Sequence, residues 1–200
     1  MELVFATNNR HKLSEIAAML DGRFTVLGLA DIGCSEEIPE EGSTLEDNAS
    51  QKARYVHEKY GYDCFADDTG LEVEALGGEP GVYSARYAGE GRSYEDNNLK
   101  LLEKLAEINN RRARFRTVIS LIIGGREVLF EGVAEGEILT ARRGTAGFGY
   151  DPLFRPADSH LSFAEMPAEE KNRISHRGRA FVKMVNYLLQ QAELPSEEKG

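Results

Sequence analysis

Apolar positions along the chain change period several times, and each change marks an element. Leu3-Val4-Phe5-Ala6 is a short unbroken apolar run that predicts a buried strand. The polar turn Thr7-Asn8-Asn9-Arg10 follows, and Leu13, Ile16, Ala17 and Leu20 then recur at helical spacing until Gly22 stops the helix. Phe24 to Leu29 reads as a second strand, and residues 31–43 as a loop rich in Glu with Gly and Pro. Ser43-Thr44-Leu45-Glu46 fits a capping box before a helix whose face carries Ala49, Ala53, Val56 and Tyr60. Cys64-Phe65-Ala66 predicts a short strand that ends at Asp67-Asp68-Thr69-Gly70.

Residues 76–93 are Gly-rich and loop-like, and Ser93-Tyr94-Glu95-Asp96 opens a helix carrying Leu99, Leu102 and Leu105. Two long strand patterns, Phe115 to Ile123 and Glu127 to Ala134, face each other across Gly124-Gly125-Arg126 as a hairpin. Gly147 to Pro152 forms a glycine-rich turn, and a last helix begins near Ser175 and buries Phe181, Val185, Leu188 and Leu189. Strands alternating with helices and then a hairpin predict an α/β protein with a mixed sheet. The hairpin supplies a second lobe, with a cleft between the lobes suited to a small ligand.

Length bounds the organisation: 200 residues form one domain, taken as 1–194 with a polar tail at 195–200. The balance of 24 basic against 34 acidic residues gives a net charge of −10, which argues against nucleic acid or an anionic membrane as partner. No apolar stretch is long enough to span a bilayer, and the N-terminus does not read as a signal peptide. Cys34 and Cys64 cannot form a disulfide framework and read as reduced thiols, consistent with a cytoplasmic protein.

Five segments carry candidate chemistry. Thr7-Asn8-Asn9-Arg10-His11-Lys12 joins a strand end to a helix N-terminus, where backbone N–H groups and the dipole favour an anion. It lacks the P-loop pattern, so a plain turn with a solvated Lys12 is the competing reading. Asp67-Asp68 at a strand end suits a hard cation such as Mg²⁺, or a turn in which Asp caps backbone N–H groups. The Glu36-Glu37, Glu40-Glu41 and Glu46-Asp47 cluster reads mostly as solvated surface, with one member available to complete a metal site. Two glycines flank Phe148, freeing it to stack on a base, although an isolated aromatic more often packs into a core. Lys171, Arg173, His176, Arg177 and Arg179 make a basic knot at a helix N-terminus, where the dipole disfavours cations; salt bridges to Glu165, Glu169 and Glu170 would explain it equally. Together the segments point to metal-assisted chemistry on a phosphorylated small molecule.

Taken in order, Thr7 to Lys12, Phe65 to Leu71, Leu76 to Tyr87, Gly147 to Pro152 and Ser175-His176-Arg177 resemble the inosine/xanthosine triphosphate pyrophosphatases. The resemblance runs from residue 2 to about 190. It departs only in having Thr7 and Thr69 where many members have Ser, and both keep a hydroxyl. It implies an elongated mixed sheet flanked by helices, with two lobes and a central nucleotide cleft, in a homodimer. It implies hydrolysis of a purine nucleoside triphosphate (ITP, dITP or XTP) to the monophosphate and pyrophosphate with magnesium. Asp68 becomes the proton acceptor and a Mg²⁺ ligand; Glu40 the second metal carboxylate, with Glu41 its rival. Thr7, Asn8, Asn9, Arg10, His11, Lys12 and Lys52 hold the triphosphate, and Thr69 follows the catalytic Asp. Phe148, Gly149, Tyr150, Asp151, Lys171, His176 and Arg177 hold the base. A pyrophosphatase of modified pyrimidine nucleotides and a non-hydrolysing nucleotide sensor are the alternatives.

Overall fold

The computed structural model describes residues 2–19, 24–91 and 93–193. Strand β1 (Glu2–Phe5), helix α1 (Arg10–Met19) and β2 (Thr25–Leu27) come first. Helix α2 (Leu45–Tyr60), β3 (Cys64–Val73) and the two-residue β4 (Pro80–Gly81) follow, then α3 (Tyr94–Lys104). The hairpin β5 (Arg112–Ile123) and β6 (Arg126–Ile138), the short β7 (Phe154–Pro156), and helices α4 (Ala168–Ile174) and α5 (His176–Glu193) complete the chain. The strands form one mixed sheet in the order β2-β1-β3-β5-β6-β7, with β4 paired to β3. Strands β2, β1 and β3 run parallel, while β3, β5, β6 and β7 are antiparallel to their neighbours.

Period-two alternation divides the apolar runs between the two faces of the sheet. Leu3, Phe5, Phe65, Ile119 and Leu121 point to one face and pack with Ile16 of α1 and Phe181, Met184 and Leu188 of α5. Val4, Ala6, Cys64, Ala66 and Ile122 point to the other and pack against Ala53 and Val56 of α2. A third cluster, centred on Leu71, Leu101, Phe115, Phe154 and Phe163, fills the half of the molecule built on the far end of β3 and the hairpin. Each large apolar side chain fully enclosed in this way contributes roughly 1.5–3 kcal/mol. Between these packed halves lies a cleft.

Several sequence expectations are corrected. Asp67-Asp68-Thr69-Gly70 does not end β3, which runs on to Val73 paired with β5 over its whole length, so the ladder satisfies backbone that a turn would have to cap. The cap of α2 is Thr44, whose Oγ1 accepts the Asp47 N–H at 3.1 Å, one residue on from the predicted box. Ser93 caps α3 as expected, but Leu99 is exposed and Leu101 takes the core position beside Leu105. The loop over 76–93 holds short 3₁₀ turns and β4, and both hairpin strands extend beyond their predicted ends. Gly124 and Gly125, at φ +54° and +75°, make the tight hairpin turn that favours a positive φ at both positions. Strand β2 is shorter than read, and β7 and α4 carry too little periodic pattern to be read at all. Leu20, Gly22 and the tail at 195–200 lie outside the described residues.

Candidate functional site

A cavity of about 470 Å³ opens between the two halves, walled by the β1–α1 turn, the 37–40 loop, α2, β3, the 148–151 turn and the start of α5. Thr7, Asn8, Asn9, Arg10, His11, Lys12, Glu40, Lys52, Asp68 and Thr69 line it, together with Phe148, Gly149, Tyr150, Asp151, Lys171, His176 and Arg177. The residues that the sequence reading assigned to the metal, the triphosphate and the base therefore reach one space, apart from Glu41, the rival of Glu40. Glu41 does not line it; its N–H donates to Gln51 Oε1 at 3.0 Å and the residue is exposed.

The floor is the strand pair Asp67-Asp68, whose side chains leave β3 on opposite faces. Asp68 faces the cavity. Asp67 is buried beneath it, 2.9 Å from Lys12 Nζ and 3.4 Å from Arg177 Nε. Burial alone would raise the Asp67 carboxyl, but the charges of Lys12, Arg177 and Lys52 hold it well below the usual carboxylate range. Burial raises the Asp68 carboxyl above its ordinary value, and Lys52 and Lys12 only partly offset it. The two neighbours are thus driven apart: one is a fixed anion clamped by cations, the other a carboxylate whose proton affinity is raised. Such a split marks acid–base candidates.

Lys12 is no solvated charge. Burial lowers its pKa and Asp67 counters that. The turn before it is closed by Asn9, whose Oδ1 accepts the N–H groups of His11 and Lys12 at 3.0 and 3.3 Å. Lys52, one turn from Asn48 on α2, bonds Glu40 and the Asp67 carbonyl (2.8 Å) and lies 4.0 Å from Asp68 Oδ1. Burial would lower the Lys52 pKa, but Asp68, Glu40 and Asp67 raise it.

At the other end, the half-buried Phe148 ring is stacked on His11 with centroids 5.0 Å apart, and Tyr94 tilts against both rings. The Lys171 and Arg177 cations stand 5.2 and 5.5 Å from the Phe148 centroid. Asp151 ties the turn together: it accepts the Phe148 N–H at 2.9 Å and Lys171 Nζ at 2.7 Å. Tyr150 contributes mainly outside the cavity, with its ring in the core and its hydroxyl donating to the Ser84 carbonyl. His176 is buried against Phe115, ring centroids 4.5 Å apart. Burial first, then Arg177 and Lys171, push its pKa well below 6.5, so it is neutral.

Part of the basic knot closes on acids the sequence did not suggest. Lys171 and Arg177 both bind Glu15 of α1, at 2.7 and 2.6 Å, rather than Glu165, Glu169 or Glu170. Arg179 leaves the site and donates to the Val133 carbonyl of β6. Glu15 and Asn48 are the residues that sequence reading missed. Glu15 follows Lys12 by three positions, so it shares a helix face with it and that signal was present. Nothing in the sequence ties Asn48 to Asp68.

Among the described residues no three His, Cys, Asp or Glu side chains converge as a metal cage. Glu40 and Asp68 nonetheless fit a hard cation, because both approach one point from two chain segments and already share the Lys52 ammonium there. Two carboxylates at a site open to water are a donor set suited to a metal that keeps waters and binds substrate phosphates.

The chain matches the model described as the Ham1 family over residues 3–187. It is 55% identical over 188 residues to a dITP/XTP pyrophosphatase of Flavobacterium johnsoniae, an alignment covering 94% of this chain and 98% of that one. Its structure is similar to that of the Ham1 protein of Staphylococcus aureus, with TM-score 0.86 and 38% identity, over 96% of this chain and 100% of the other. A HAM1 protein from Coxiella burnetii superposes with TM-score 0.87 at 37% identity, over 95% and 99% of the two chains.

Proposed function

Because the chain belongs to the Ham1 family, we propose that it hydrolyses dITP, ITP and XTP to the monophosphate and pyrophosphate, removing non-canonical purines from the nucleotide pool. The observation that carries this reading is the polarity of the cleft. One end gathers Lys12, Lys52 and a strand-to-helix turn around a carboxylate of raised proton affinity, and the other offers an aromatic ring flanked by two cations. A triphosphate fits the first end and a keto-purine the second.

We assign Asp68 as the acceptor of the proton of a water attacking the α-phosphorus, since its carboxylate lines the cavity beside Glu40. Lys12 and the 7–12 turn face the departing pyrophosphate and stabilise the charge that develops there. Glu40 and Asp68 are the side chains that would hold a divalent cation, and magnesium bound there would neutralise the phosphates and orient the attacked group. Asp67 keeps Lys12 and Arg177 in place without touching substrate.

Selectivity follows from donor chemistry. Arg177 gives one N–H from each nitrogen to Asp67, Glu15 and Thr69, so donors remain on both terminal nitrogens and none of its atoms accepts. A 6-keto oxygen satisfies them, whereas a 6-amino group would meet donor with donor, and buried mismatches of this kind discriminate by orders of magnitude. Phe148 supplies the stacking face. We read residues 1–194 as one such enzyme unit, acting as a homodimer in the cytoplasm; the two buried free cysteines agree with a reducing compartment. Among the described residues no helix is long and apolar enough to cross a membrane.

The test is incubation with ITP and Mg²⁺ followed by product identification. IMP plus pyrophosphate is expected. IDP plus orthophosphate, or a preference for dTTP, would overturn the reading.

A further inference from the structure

Asn48 is 3% exposed, lies one helical turn before Lys52 and uses both ends of its amide. Its Nδ2 donates to Asp68 Oδ2 at 3.0 Å, and its Oδ1 accepts the Gly42 N–H at 2.8 Å. The same face of α2 holds the rest of the acidic loop in antiparallel order. Gln51 accepts the Glu41 N–H, Lys52 bonds the Glu40 carboxylate, and Glu36 receives the Tyr55, Lys59 and Tyr60 side chains. The Gln51 and Glu36 grips restrain the loop alone, whereas Lys52 also bonds the Asp67 carbonyl and stands 4.0 Å from Asp68 Oδ1. Asn48 joins the loop directly to the Asp68 side chain.

Gly42 makes the joint tight. A Cβ there would stand 2.5 Å from Asp47 Cβ and 2.8 Å from Asn48 Oδ1, so the loop backbone rests directly on the amide. The amide cannot be turned to serve only one side: its NH₂ end faces a carboxylate and its oxygen faces an N–H. Either displacement would leave a buried polar group unpaired.

We propose that Asn48 is a positioning residue that fixes the rotamer of Asp68 relative to the 40–42 loop, so that the Asp68 and Glu40 carboxylates address the same point. Asn48 touches neither substrate nor the reacting atoms; it acts through Asp68. This inference rests on the reading of Asp68 as proton acceptor. It predicts an effect on kcat rather than on substrate capture, because the cations and rings that bind the nucleotide are left in place. A misplacement of about 1 Å in a reacting group costs on the order of a hundredfold in rate.

The experiment compares Asn48→Asp, Gly42→Ala and the double variant in steady-state hydrolysis of ITP, with melting curves of each. Asn48→Asp keeps the shape and the acceptor for Gly42 but replaces the donor to Asp68; Gly42→Ala disturbs the same joint from the loop side. The expected result is a kcat loss of tenfold or more in each, with KM within about threefold, and a double variant no worse than the more damaged single one. The proposal is overturned if kcat stays within twofold of wild type, if KM rises as far as kcat falls, or if the two losses multiply. Should one variant fail to fold, the other alone decides by the same kcat and KM criteria. Asp68→Asn is assayed beside them. Turnover surviving in Asp68→Asn removes the reading of Asp68 itself, whereas its loss there with a normal Asn48→Asp removes only the positioning role.

Discussion

Replacing Asp67 by Asn is the perturbation with the most sharply defined cost. Asp67 is 2% exposed and is the shared counter-ion of Lys12, at 2.9 Å, and Arg177, at 3.4 Å. Removing one partner of a buried ion pair costs about 3–5 kcal/mol, chiefly by stranding the charge left behind. Arg177 keeps Glu15, and Lys12 retains some contact with water, so the low end of that range applies. For a chain of this size about 3 kcal/mol corresponds to a fall in Tm of roughly 6–12 °C. Of the two stranded cations, Lys12 faces the end of the cleft assigned to phosphates, so inorganic pyrophosphate should recover more Tm in Asp67→Asn than it adds to wild type, by mass action on the folded state. Differential scanning fluorimetry with and without pyrophosphate reads both quantities. A fall under 2 °C, or equal pyrophosphate shifts in the two proteins, would refute the assignment of Asp67 as the buried clamp.

Other expectations follow from single contacts. His176 stays neutral in the fold while the unfolded chain takes up a proton below about pH 6.5, so this group removes stability as pH falls, by up to ~1.4 kcal/mol per pH unit. Urea denaturation at about pH 7.5 and 5.5 should therefore show a smaller acid loss in His176→Gln than in wild type, and parallel slopes would contradict this. Phe148→Leu should weaken nucleotide affinity by about 1–3 kcal/mol, read as a raised KM for ITP at nearly constant kcat. An unchanged KM would remove the ring from base binding. Gly132→Ala should destabilise the protein by at least ~1–3 kcal/mol, because its Cβ would stand 2.0 Å from the His176 carbonyl oxygen where α5 crosses β6. Chemical denaturation checks it, and a neutral result would mean that α5 is not seated so closely.

Local pattern made much of the fold legible. Alternation in Leu3-Val4-Phe5-Ala6 carries both sheet faces, and the helical spacing of Ala49, Ala53 and Val56 gives the buried face of α2. What stayed hidden depended on distant partners. The full length of β3 is set by its pairing with β5, and two adjacent aspartates in sequence carry no sign of that ladder. Strand β7 has three residues, too few for any period to emerge. In the site, residue types announced the cations, the ring and the carboxylates, but not which acid each cation meets. Lys171 lies 156 positions from Glu15, and Arg177 lies 110 from Asp67, so only the folded chain brings these pairs together. Asn48 escaped for the same reason: in sequence it is an ordinary polar residue near a helix start, and its role exists only where α2, β3 and the 40–42 loop meet.

The most direct measurement of the central claim is hydrolysis of ITP in ¹⁸O-enriched water, followed by mass analysis of both products. Attack by a water beside Asp68 on the α-phosphorus places the heavy oxygen in IMP and leaves pyrophosphate unlabelled. Label in the pyrophosphate, with IMP unlabelled, would put the attack on the β-phosphorus and contradict the assignment.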